Sequence, residues 1–218
     1  VCGQAVVETA ALIRERRPPF GASADAAREW RELIEAAFRS TRRAFGTVLQ
    51  YLAAADGRFE SPGAPIPGNE IDARLFATTL GLVIVGSEFL VSGAIGTSFV
   101  VAQHFDELHL VDSPWGFRGE RRSESFITQP NAIEVGRFSY LWDDGLRAVI
   151  LGTDGLANTA VRESGDGWYV ADGEKLRRLL ADAASRNSTS LRNSETLRQA
   201  AVDDDATAVL ILASRKRA

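Results

Sequence analysis

Residues 80–102 read LGLVIVGSEFLVSGAIGTSFVVA, an apolar run with a single charge, Glu88. Its length would suit a membrane-spanning helix. Gly86-Ser87-Glu88 breaks it near the middle, however, and both flanks are rich in branched residues. Two β-rich segments around a turn signal read as a hairpin. Strands this apolar need cover, which must come from further strands and from helices with one apolar face. At 218 residues and 45% apolar composition the chain is long enough to supply it.

The helices are legible by period. Residues 4–16 (QAVVETAALIRER) form a helix with a small-residue face, stopped by Pro18-Pro19. A longer one starts after Ser23, a good N-cap, and runs to about Ala55. Trp30, Ile34, Phe38, Phe45, Val48 and Leu52 line one side, while Arg28, Glu32, Glu35, Arg39 and Arg42 fill the other. The proline- and glycine-rich stretch 57–70 cannot continue it and is expected to be a surface loop. Strands are predicted at 75–85, 89–95, 98–103, 108–112, 147–152, 168–171 and 206–213. Helices are predicted at 173–185 and 194–201. Residues 113–131 are turn-rich and polar with an arginine cluster, and read as a solvated loop or a substrate-facing flap. Helices first, strands in the middle and a mixed end favour α+β over regular βαβ alternation. One domain over 1–218 is expected.

Several ligand classes fit poorly. Net charge is −4 and the one basic block is Arg215-Lys216-Arg217, so nucleic acid is not an expected partner. No membrane span or signal peptide is read. Cys2 is the sole cysteine, which excludes an intrachain disulfide and a cysteine zinc site and suits a reducing, cytoplasmic setting. His104 and His109 are five apart and need not face the same way; histidines without a metal are the expectation. There is no nucleophile elbow or P-loop.

Acidic residues are more informative. Asp-Gly occurs at 56–57, 144–145, 154–155, 166–167 and 172–173, and all but one of these pairs read as turns. Asp154-Gly155 differs because it follows the apolar AVILG, residues 148–152, which reads as a buried strand. A carboxylate there is partly desolvated unless a positive charge neutralises it. Asp203-Asp204-Asp205 stands in mirror image, just before the apolar ATAVLILA. Three adjacent carboxylates repel, and a divalent cation relieves that repulsion. Hard oxygen ligands without Cys or His suit Mg²⁺ or Mn²⁺. A solvated acidic loop is the competing reading.

These segments also carry a resemblance. The sequence resembles the metal-dependent protein phosphatase 2C (PPM) family, most nearly its shorter bacterial members. VCGQAVVETAALI is similar to that family's first helix, ATTLGLVIV to its Thr-Thr-Leu strand, and VSGAIGTSFVVA to the strand pair around a Gly-Asp-Ser/Gly turn. RSESFITQP resembles a threonine-containing bacterial segment. VILGTDGL resembles the later Asp-Gly motif and DDATAVLIL the closing Asp-Asn/Asp-x-Thr motif. The resemblance implies a four-layer α-β-β-α sandwich of two antiparallel sheets flanked by helices. It also implies a centre with two Mn²⁺ or Mg²⁺ ions, and hydrolysis of phosphoserine or phosphothreonine on a protein substrate by a metal-activated water. Carried onto this chain, Asp154 and Asp204 are metal ligands. Gly155, Asp205 and Thr207 would support them.

The sequence departs from the family in two places. The opening Asp-Gly-x-Gly motif and the phosphate-binding arginine on the first strand have no counterpart, and the chain holds no methionine. An N-terminally incomplete domain is the expected explanation, which leaves the activity of this segment alone open. Thr97 also replaces the turn aspartate that helps hold a third metal in many relatives. The alternatives are a non-catalytic binding or regulatory module, and a phosphatase for a small phosphorylated metabolite. Oligomeric state is not legible.

Overall fold

The structure is a computed structural model that describes residues 2–55, 78–113, 115, 125–129, 131–185, 196–199 and 207–212. Helix α1 (Cys2–Arg16) ends where Arg17 takes a positive φ of 45° ahead of Pro18-Pro19. Helix α2 (Ala24–Ala55) begins as expected: the Ser23 hydroxyl accepts from the Ala26 amide at 3.1 Å. Trp30, Leu33, Ile34 and Phe38 of α2 are buried, each contributing roughly 1.5–3 kcal/mol of apolar transfer before chain entropy is counted. Val48, expected on the same stripe, is half exposed, so the covered face weakens toward the C-terminal end.

Two antiparallel sheets form the centre. One has the order β1 (Leu80–Val85), β2 (Phe89–Ile95), β5 (Arg137–Trp142). The other has the order β4 (Glu107–Asp112), β3 (Phe99–His104), β6 (Leu146–Gly152), β9 (Ala208–Leu212). The sequence run 80–102 is therefore three strands, and its second turn, Gly96-Thr97-Ser98, carries the chain from one sheet to the other.

Three cores separate four layers. Trp30, Leu33, Ile34 and Phe38 of α2 pack on Leu80, Leu82, Phe89, Val91 and Ile95 of the first sheet. Leu90, Val100, Ala102, Leu146 and Val149 lie between the sheets. On the far side, Phe99, Val101, Ala148 and Ile150 meet Leu156 and Ala160 of α3 (Asp154–Ala160) and Leu176, Leu179 and Leu180 of α4 (Gly173–Ala184). This is the expected α-β-β-α arrangement. A short hairpin of β7 (Val161–Glu163) and β8 (Tyr169–Ala171) joins α3 to α4. Among the described residues no helix is long and apolar enough to cross a membrane.

Gly93 shows how closely helix and sheet approach. A Cβ there would stand 2.4 Å from Ile34 Cγ2 and 3.1 Å from Phe38 Cζ. Only a glycine lets α2 lie on the middle of β2 at this distance.

Strands β5 and β7 and helix α3 escape the sequence pattern, as does one helix cap. Strand β5 was not expected. It turns Phe138 and Tyr140 to the helix side and Leu141 to the intersheet side, but the six-residue RFSYLW carries apolar groups on both faces and so hides its period. Helix α3 was read as a strand-end turn. DGLANTA has poor helix formers, yet burial of Leu156, Ala157 and Ala160 overrides propensity. Asp172, expected in a turn, is the N-cap of α4 and accepts from the amides of Glu174 and Lys175, each at 3.2 Å. Residues 196–199 are helical. The remainder of the 194–201 helix, the 57–70 loop and most of 113–131 lie outside the described residues.

Candidate metal centre

The strand register brings Asp154 and the start of β9 to one end of the second sheet. Gly152, the last residue of β6, pairs with Phe99 on one side and with Ala208 on the other. One residue further out, the Thr153 amide donates to the Thr207 carbonyl at 3.1 Å, and the Thr207 amide donates to Thr153 Oγ1 at 3.0 Å. Thr207 is thus tied to the residue before Asp154. Asp154 opens α3, half-buried, with Oδ1 accepting from the Gly155 amide at 3.1 Å. Gly155 is buried beneath it. Thr97 sits in the turn that leads into Phe99, at this same end and half-buried.

A negative side chain at the start of a helix is favourably placed by the peptide dipoles. No ion pair involves Asp154 among the described residues. A half-buried carboxylate of this kind, at a strand end and with no cation partner among the described residues, fits a hard divalent ion as one ligand. Asp204 and Asp205 lie outside the described residues, so the proposed ligand set is not assembled here. Among the described residues no group of three His, Cys, Asp or Glu side chains could hold a metal.

Two residues at this end were not singled out from the sequence. Arg137, the first residue of β5, has a side chain only 7% exposed. It donates from Nε to Asp112 Oδ1 at 2.8 Å, from Nη1 to the Gly96 carbonyl at 2.5 Å and from Nη2 to the Ser98 carbonyl at 2.6 Å. Asp112, the last residue of β4, is as deeply buried, and its Oδ2 has no partner among the described residues. Gly96 is fixed by geometry: its φ is +101°, and a Cβ would fall 2.2 Å from Thr79 Cγ2 and 3.0 Å from the Ser125 carbonyl. The RSESFITQP segment contributes directly here. Ile127, fully buried, donates its amide to the Thr78 carbonyl at 3.0 Å.

The opposite end of the sheets holds a cleft of about 890 Å³, lined among others by His104, His109, Trp142 and Asp143. The two histidines share a face, because His104 pairs with Glu107 and His109 stands two residues further along β4. Their ring centroids are 6.3 Å apart. His104 Nδ1 lies 2.5 Å from Asp143 Oδ1, which also accepts from the Gly145 amide at 2.7 Å. Along β3 this end is roughly 17 Å from Phe99, so the histidines belong to neither the strand ends nor the turn around Asp154.

A model of the family described as Protein phosphatase 2C matches residues 4–200. The chain belongs to the protein phosphatase 2C family. Solved phosphatases of this fold resemble it over nearly its whole length. A bacterial serine phosphatase point mutant matches with a TM-score of 0.51 at 11% identity, covering 99% of this chain and 80% of that one. The Mycobacterium tuberculosis serine/threonine phosphatase PstP/Ppp matches at 0.49 and 14% identity, covering 96% and 82%. Serine/threonine phosphatase Stp1 from Staphylococcus aureus matches at 0.48 and 15%, covering 95% and 76%. No curated protein matches the sequence.

Proposed function

We propose that this protein phosphatase 2C member is a Mn²⁺- or Mg²⁺-dependent serine/threonine phosphoprotein phosphatase with Asp154 and Asp204 as metal ligands. The supporting observation is the double hydrogen bond between Thr153 and Thr207. It draws the start of β9 against the residue preceding Asp154. Three peptide units separate Thr207 from Asp204, and three units span at most roughly 11 Å. Two carboxylates distant in sequence can therefore reach one ion cluster.

When bound, the ions supply a nucleophilic water near neutral pH and neutralise charge on the transferring phosphoryl group. The chain's own residues do the placing. Asp154 presents its carboxylate from the first turn of a helix anchored by Leu156, Ala157 and Ala160. Gly155, buried, donates its amide to the Asp154 carboxylate, Thr207 fixes the entry into β9, and Asp205 would orient its neighbours. Thr97 brings no charge to the turn, consistent with a two-ion rather than a three-ion centre. We take the whole chain, 1–218, as one domain acting in the cytoplasm on a phosphorylated protein.

The test is hydrolysis of p-nitrophenyl phosphate and a phosphothreonine peptide by the full gene product with added Mn²⁺. Asp154→Asn and Asp204→Asn should each lower turnover at least a hundredfold. Turnover without metal, or activity surviving both substitutions, defeats the assignment. A chain that binds phosphopeptide yet never turns it over is instead the non-catalytic module.

A further inference from the structure

We propose that Arg137 is a positioning residue for the candidate centre, with Asp112 holding it in place. The inference rests on reading the Asp154 end as that centre, and it concerns how the Gly96-Thr97-Ser98 turn is held there.

Arg137 starts from the first sheet, crosses the intersheet space and uses three nitrogens on three acceptors. Two are the carbonyls on either side of Thr97. Both are turned inward to one guanidinium, so the Gly96–Thr97 and Ser98–Phe99 peptide groups, which bracket the turn, have little freedom to rotate. The third acceptor, Asp112, lies on the edge strand of the other sheet and opposes Val100 of β3. The cluster therefore spans both sheets and the connection between them. A planar fork can satisfy a carboxylate and two carbonyls together, whereas an ammonium cannot match that geometry.

A merely stabilising role is the competing explanation, and it fits less well. Removing two charges from water offsets most of their mutual attraction, so well-packed apolar pairs often replace a buried ion pair without loss. The cluster is also not optimised as a closed unit. Asp112 Oδ2 and Ser98 Oγ are both buried without a partner among the described residues. What the arrangement supplies is a fixed turn beside Asp154 and Thr207.

Two variants test this in the full gene product. Arg137→Lys keeps the charge beside Asp112 but loses the fork. Arg137→Met with Asp112→Leu removes both charges, leaving neither one buried alone. Three readouts are taken: melting temperature, amide hydrogen exchange at Thr97 and Ser98 in metal-free protein, and Mn²⁺ affinity by calorimetry alongside the Mn²⁺ half-saturation of turnover. At least one variant should melt within a few degrees of the parent while exchange at the two amides quickens at least tenfold. Mn²⁺ affinity should weaken at least tenfold in the same variant. Unchanged exchange overturns the proposal, as does faster exchange with unaltered Mn²⁺ affinity. Unfolding of both variants assigns the cluster a structural role and also overturns it. A parent that neither binds Mn²⁺ nor turns over substrate removes the phosphatase reading itself, a result separable from the others because it appears before any substitution.

Discussion

The contact between Gly93 and Ile34 sets up a reversal of sign. In the parent, Gly93→Ala places a methyl 2.4 Å from Ile34 Cγ2 and 3.1 Å from Phe38 Cζ. Both neighbours are fully packed, at 2% and 3% exposure, so α2 has to shift or a side chain has to leave its rotamer. Overpacking of this kind costs about 1–3 kcal/mol. Alanine's smaller unfolded-state entropy returns about 0.4–1 kcal/mol, which leaves a net loss of about 0.5–2 kcal/mol. Ile34→Leu removes the β-branch methyl that makes the nearest contact and should itself cost under about 1.5 kcal/mol. In that background Gly93→Ala should be neutral or stabilising by up to about 1 kcal/mol. Urea unfolding of the four proteins at 25 °C, with midpoints and slopes compared, measures the cycle. If Gly93→Ala destabilises equally in both backgrounds, α2 does not lie on the centre of β2 as described. Each kilocalorie should also appear as about 2–4 °C in Tm for a chain of this length.

Two further outcomes are expected. Gly96→Ala meets both a φ of +101° and Thr79 Cγ2 at 2.2 Å; it should lower unfolding free energy by about 2–4 kcal/mol and weaken Mn²⁺ binding, measured by denaturation and calorimetry. Asp143→Ala strips the acceptor from His104 and from the Gly145 amide. It should cost about 1–3 kcal/mol of stability, yet leave metal-dependent turnover of the folded protein within about twofold, because the pair lies at the other end of the sheets.

What the sequence disclosed follows the reach of its patterns. Helix α2 was readable because Trp30, Ile34 and Phe38 recur at four-residue steps, and strand β2 because the apolar run 89–95 is bounded by Gly86 and Gly96. Asp154 stood out as a candidate because an acid after five mostly apolar residues is locally anomalous. Arg137 and Asp112 were not. Each looks like an ordinary charge at a strand end, and their meaning arises only when β5 and β4, 25 residues apart in sequence, meet across the sandwich. The histidines illustrate the same limit, since five-residue spacing says nothing about a shared face until the Phe105-Asp106 turn sets the register. Helix α3 failed for another reason: its composition argues against it, and only the packing of Leu156 and Ala160 on the sheet makes it form.

The passage from β2 to β3 occupies only three residues and changes sheets. Those residues act as a joint: the two sheets share no strand, and the other short connection between them, Asp143-Asp144-Gly145, lies at the opposite end. Sliding of one leaf over the other would strain both joints, and the one at Gly96-Thr97-Ser98 lies beside the carboxylate expected to grip metal. Rigidity of the sandwich and sharpness of the site are then one mechanical property, and a mutation that lets the leaves shear would blunt the site without touching a ligand.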